Sequence, residues 1–196
     1  DRSTWIDCVS EDVGGPYPAF INHGAGIGTI KLINMRAIGG TGMAIQNDSG
    51  AQRVEIIGGM VDGGRVSIWG DHVLIDGLRL MGEATGIAIV GSDNSVRNTV
   101  IVATAADLPA IAVYGQENSI THNSLAFTQS YNPNVPAILI SGTNASAVLR
   151  GNIVAAPYTV CLDGTPPSRL SACENLYSYD AVFANQSQQI PWDFWR

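Results

Sequence analysis

Two stretches of the chain, IAIVGSDNSV (Ile87 to Val96) and IAVYGQENSI (Ile111 to Ile120), repeat nearly the same residues twenty-four positions apart. The pattern is apolar, any, apolar, any, then Gly or Asn, and it recurs in six copies. They are MAIQN from Met43, VSIWG from Val66, IAIVG from Ile87, IAVYG from Ile111, ILISG from Ile138 and VCLDG from Val160. Their starts lie 23, 21, 24, 27 and 22 residues apart. Strict alternation over four positions is the period of a half-buried strand. A second apolar element follows several copies: HVLIDGLRL from His72, SVRNTVIV from Ser95, SITHNSLAF from Ser119 and SAVLRGNIV from Ser146.

About twenty-three residues per period, with short strands and no helical pattern between them, predicts one rung of a parallel β-solenoid. Composition agrees. Charged residues are only 14% of the 196, against about 25% in ordinary domains, while 22 glycines supply turns and 45% apolar residues supply a continuous core. A leucine-rich horseshoe needs a Leu-x-x-Leu-x-Leu frame that these rungs lack. Repetition has a physical reason in a solenoid: Ile87 stacks on Ile111 and Ile89 on Val113 at a spacing of about 4.8 Å, so neighbouring rungs require the same residue types.

The chain resembles the right-handed parallel β-helices of the pectate-lyase-like superfamily across roughly residues 30 to 165. That resemblance, carried by rung length and strand-turn-strand rhythm, implies an all-β, right-handed parallel β-helix of six to seven rungs. Residues 1–29 are expected to form an N-terminal cap and residues 166–196 a C-terminal cap or tail, within a single domain. The aromatic tail IPWDFWR from Ile190, with Trp192, Phe194 and Trp195, suits a cover for the open coil end or a segment docked on a partner subunit. The pectinases of this family that hydrolyse carry Asn-Thr-Asp, Asp-Asp, Gly-His-Gly and Arg-Ile-Lys in order, and this chain offers only NHGAG at Asn22 to Gly26. The Asp-Pro-His of alginate epimerases is absent too, so no catalytic residue carries over from the family.

If the first and third residues of each copy point inward, the outward positions are Ala44, Gln46, Ser67, Trp69, Ala88, Val90, Ala112, Tyr114, Leu139, Ser141, Cys161 and Asp163. No charge appears among them before the last rung. Trp69 and Tyr114, two rungs or about 10 Å apart, suit stacking on successive sugars of a glycan laid along the axis. The same uncharged face also suits packing against another subunit. A net charge of −7 argues against nucleic acid or an anionic membrane as the main partner, and no window approaches eighteen unbroken apolar residues, so no membrane insertion is expected. The expected partners are a polysaccharide and further copies of the chain in a homotrimer.

Around the second element, Asp76, then Arg97 and Asn98, then His122 and Asn123, then Arg150 fall at similar angular positions. A lyase needs a base and a positive group against a uronate carboxyl, which makes His122, Arg97, Arg150 and Asp76 the catalytic candidates; Asn98 and Asn123 join Trp69 and Tyr114 as substrate-binding candidates. These asparagines equally suit bonding to backbone at rung corners. A column of Asp48, Asp71, Asp93, Glu117 and Asn144 at the turns invites a cation such as Ca²⁺. Because Asp and Asn are ordinary turn formers, solvated turns are expected there, with no metal and no cofactor. Cys161 and Cys173 permit a short-loop disulfide that leaves Cys8 over, and reduced thiols suit the chain equally. Starting at Asp1 without Met, the chain reads as a processed product or an excerpt.

Three functions suit these features. The first is an extracellular, cell-surface or virion-borne spike or adhesion module that binds polysaccharide without catalysis. The others are a polysaccharide lyase acting by β-elimination on an acidic glycan, and a purely structural assembly domain.

Overall fold

The computed structural model describes residues 2–11, 20–24, 28–39, 42–47, 52–83, 85–105, 108–127, 135–156, 158–177, 182–185 and 188–189. Among these the chain is nearly all strand, with one 3₁₀ turn at Pro167–Arg169. Three parallel sheets run the length of a β-solenoid, two of eight strands and one of nine. Each rung passes through the first, the second and then the third sheet. In the fifth rung these strands are Ser95–Arg97, Val100–Ala105 and Ile111–Val113.

The six sequence copies are the third sheet, in the register their alignment requires. Met43 pairs with Val66, Val66 with Ile87, Ile87 with Ile111, Ile111 with Ile138 and Ile138 with Val160. Their first and third residues, Met43 and Ile45 through Val160 and Leu162, are buried in one core. Burying each such side chain stabilises the fold by about 1.5–3 kcal/mol. The sheets extend beyond residues 30 to 165: Arg2–Ile6 pairs with Gly28–Ile33, and Val182–Asn185 with the strand Tyr158–Asp163. The terminal strand Gln188–Gln189 turns back antiparallel, and the aromatic residues Trp192, Phe194 and Trp195 lie outside the described residues.

Every passage from the first to the second sheet takes two residues. The first of the two is Asp7, Asn34, Gly58, Gly77, Asn98, His122, Gly151 or Glu174, all with φ between 53° and 75°. The second points into the coil as Cys8, Met35, Gly59, Leu78, Thr99, Asn123, Asn152 or Asn175. In the last rungs this inner column becomes an asparagine ladder. Asn123 Oδ1 accepts from the Thr99 N–H at 2.9 Å, and its Nδ2 donates to Val96 O and Asn152 Oδ1, both at 3.0 Å. Asn152 repeats the arrangement with the Asn123 N–H, Ile120 O and Asn175. Asn94 and Asn118 form a second, shorter ladder where the third sheet leads into the first.

The exit from the third sheet is a stack of glycines. A Cβ on Gly91 would lie 2.0 Å from the Gly70 carbonyl oxygen, and one on Gly115 would lie 1.9 Å from that of Gly91. This close approach holds Trp69, Val90 and Tyr114, the residues before these glycines, in single file.

Two stability outcomes follow from these columns. Asn123→Ala strands the buried Thr99 N–H and Val96 carbonyl and should cost about 3 kcal/mol in urea unfolding. Gly91→Ala should cost about 2 kcal/mol, the scale of overpacking in a tight core; unchanged midpoints in both variants would refute the column geometry.

Candidate functional site

The first sheet brings part of the predicted constellation together. Asp76 pairs in register with Arg97, Arg97 with Thr121, and Thr121 with Arg150. Asp76 is fully engaged: Arg97 Nε and Nη2 donate to Oδ2 at 3.0 and 2.8 Å, and Asn98 Nδ2 donates to Oδ1 at 2.7 Å. The Asn98 bond, with Arg97 behind it, holds the Asp76 carboxyl below its ordinary value against an opposing effect of partial burial. An acid held ionised in this way does not donate a proton near neutral pH.

Arg150 lies two rungs further along and is engaged by Glu174, with Nε to Oε2 at 2.8 Å and Nη2 to Oε1 at 3.3 Å. That bond keeps the Glu174 carboxyl below and the Arg150 guanidinium above their usual values. Glu55, on the same face one rung before Asp76, is held by Lys31 Nζ at 2.9 Å and Arg53 Nε at 3.0 Å. Each of these three carboxylates is thus neutralised by the chain's own cations, and both candidate arginines carry a carboxylate already.

His122 occupies a left-handed corner, and its imidazole lies against Gly151 of the next rung, where a Cβ would meet it at 2.8 Å. Asn123 is a correction to the expected site: it is buried with its amide engaged in the ladder, and does not reach a ligand at the surface. An open groove of about 550 Å³ does run over this sheet, lined by Arg53, His72, Val73, Leu74, Asp93, Ser95 and Arg97. His72 Nδ1 and Asp93 Oδ2 lie 2.7 Å apart at its rim.

The expected column of turn carboxylates is split. Asp71 stacks one position away from Asp93, and its Oδ1 accepts the Ser92 N–H at 2.6 Å. Asp93 stands instead between His72 and Glu117, as the bonds from the His72 N–H to Ser92 O and from the Asp93 N–H to Gln116 O show. Among the described residues no group of His, Cys, Asp and Glu is arranged to hold a metal ion; Asp48 lies outside them. The Cys161–Cys173 disulfide is not formed, since Cys161 lies on the third sheet and Cys173 on the first, and all three cysteines are free.

The third sheet presents a different surface. Its outward residues form three columns along the axis. The middle column, Ala44, Ser67 and Ala88, is small and half-buried and makes a floor, and Ala112, next in register, is buried. One wall is Trp69, Val90 and Tyr114, exposed by 60%, 37% and 45%. Their N–H groups donate to Ile45, Ile68 and Ile89 carbonyls at 2.8, 2.7 and 2.8 Å, which fixes their succession rung by rung. The other column is Gly42, Arg65 and Gly86, in register. Arg65 was not among the sequence candidates. The signal for it is the residue just before each copy: in GMAIQN, RVSIWG and GIAIVG, an arginine stands between two glycines on an otherwise uncharged face. Glu174 was missed for a related reason, since it belongs to a last rung outside the six copies.

Comparison with protein-family models, with curated proteins and with solved structures finds no match to the chain. The chemistry of the site therefore carries its interpretation.

The Asp76 cluster makes a pH-dependent prediction. Because its folded value lies below the unfolded one of about 4, its stabilisation is fully present above pH 4 and is lost as pH falls through the lowered folded value. The melting-temperature difference between wild type and Asp76→Asn should accordingly be constant from pH 5 to 8 and shrink below about pH 4; a difference independent of pH would show that the carboxylate charge does not matter.

Proposed function

We propose that the protein is a non-catalytic polysaccharide-binding module of the pectate-lyase-like β-helix type, with an extracellular, cell-surface or virion setting. The supporting observation is the aromatic wall of the third sheet, Trp69, Val90 and Tyr114 in single file above a floor of alanine and serine. Two rungs separate the aromatic rings, about 10 Å, or roughly two sugar units of an extended glycan. Flat rings, a smooth floor and almost no charge suit the apolar faces of pyranose rings. Backbone register fixes the spacing of the two residues, and aromatic side chains with two rotatable bonds cost little ordering on binding.

The lyase reading has less support. Lyase action requires a cation free to meet a uronate carboxyl and a base beside it, whereas Arg97 and Arg150 are engaged by Asp76 and Glu174 and His122 lies against Gly151. Assembly as a homotrimer is compatible with glycan binding through another face. The outward column of the second sheet, Val100, Ser124, Ile153 and Leu176, is in register, and its Val100, Ile153 and Leu176 are exposed. Burying it between subunits would leave the aromatic trough open.

The test is calorimetric titration with a glycan retained from a panel of neutral and acidic polysaccharides. Trp69→Ala and Tyr114→Ala should each weaken binding by about fivefold, near 1 kcal/mol of stacking, and His122→Ala should leave it unchanged. Undiminished binding by the double variant, or loss of binding in His122→Ala, would refute the proposal.

A further inference from the structure

The corner between the first and second sheets lacks side chains for two consecutive rungs. Its first position is Asn34, then Gly58 and Gly77, then Asn98, all in the left-handed conformation. That backbone accepts asparagine on either side of the two glycines, so conformation alone does not require a glycine pair. Packing does not require it either. A Cβ on Gly58 would meet nothing within 4 Å, and one on Gly77 would touch only Gly58 at an ordinary 3.8 Å. What the pair creates is a recess, an open groove of about 500 Å³ floored by Gly58, Gly59 and Gly77.

Beside this floor the second sheet supplies charge of one sign. Arg36, Met60 and Arg79 stand in register on consecutive strands, and all three line the groove. The two arginines are exposed and lie two rungs, about 10 Å, apart at the backbone. Among the described residues no carboxylate lines the groove. The ion pairs of the described residues hold Lys31, Arg53, Arg97 and Arg150 and include neither Arg36 nor Arg79, although Asp62 stands only two positions beyond Met60 on the same strand. The groove over the first sheet is the opposite case, since its Arg53 and Arg97 are held by Glu55 and Asp76. Two like charges facing one recess, on a chain of net charge −7, concentrate an anion there against the field of the whole molecule.

We infer that this groove is a binding site for a phosphate dianion, clamped between Arg36 and Arg79 above Met60 and the glycine floor. The site stands apart from the third sheet and is independent of the glycan reading. Two guanidinium groups balance the charge of about −2 that a phosphate monoester carries near neutral pH, whereas a carboxylate leaves one of them unmatched. Each planar fork offers paired N–H donors to phosphate oxygens, and two forks approaching from opposite sides use more than one oxygen edge. The absent side chains at Gly58 and Gly77 let the anion sit close to the corner. Met60 gives the middle of the site an apolar, adaptable surface on which an organic group esterified to the phosphate can rest.

The experiment is an NMR titration of the intact chain with inorganic phosphate, phenyl phosphate and benzoate, read at the Gly58 and Gly77 amides and the Met60 methyl. Both phosphates should move these resonances saturably, and benzoate should not. Arg36→Gln and Arg79→Gln should each weaken phosphate binding by about tenfold, and Arg53→Gln in the other groove should leave it unchanged. Gly58→Asn keeps the corner conformation and both charges but fills the recess, so it should weaken binding with an otherwise native spectrum. Equal affinity for the two phosphates assigns the site to the phosphate group alone, and tighter binding of phenyl phosphate assigns it to an organic ester resting on Met60. Absence of saturable movement, equal movement by benzoate, or movement that survives the Arg36→Gln and Arg79→Gln double variant would overturn the inference.

Discussion

The two-residue corner between the first and second sheets governs the rest of the molecule. Its first residue must take a left-handed backbone, which Gly, Asn and Asp adopt at little cost and other residues adopt rarely. Repeating that corner in every rung keeps successive strands in register, and register in turn stacks like residues on like. The inner position beside it changes along the coil from Met35 and Leu78 to Asn123, Asn152 and Asn175. Buried amides there satisfy backbone N–H and carbonyl groups that the turn removes from the sheets, and each unmet group would cost about 1–3 kcal/mol.

Register also decides what chemistry each face performs. On the first sheet it sets Asp76 directly beside Arg97, and it places Arg150 within reach of Glu174. These pairs neutralise the groups that catalysis would need free. On the third sheet it places aromatic side chains in file over small ones and leaves a single arginine between two glycines. The contrast lies in partnership: Lys31, Arg53, Arg97 and Arg150 on the first sheet are matched by carboxylates of the chain, whereas among the described residues no carboxylate is paired with Arg65 on the third.

Much of this architecture is legible in the sequence because a solenoid imposes the same demand on each rung. The six copies predict the third sheet with its pairing and its inward and outward residues, and the alignment of Asp76, Arg97 and Arg150 holds in the first sheet. What alignment cannot supply is the partner of each side chain. Asn98 and Asn123 stand at the first and second positions of the same corner in successive rungs, yet one caps Asp76 at the surface and the other is sealed in the core, because the two corner positions face opposite sides of the coil wall. His122 occupies a corner position where backbone conformation, and not acid–base chemistry, limits the choice of residue. The turn carboxylates divide because the turns after Trp69 and Val90, equal in length, carry their acid one position apart, which leaves Asp71 beside Ser92 and Asp93 beside His72. End rungs such as the one holding Glu174 lack the repeat pattern and are hidden for that reason.

Hydrogen–deuterium exchange of the glycan-loaded chain tests most directly where the function resides. Slower exchange should be confined to peptides covering residues 65–69, 86–90 and 111–114, with those covering 73–76, 95–98 and 118–123 unchanged. Protection of the first-sheet peptides, with the third sheet unaffected, would contradict the account and return the site to the Asp76 and Arg97 groove.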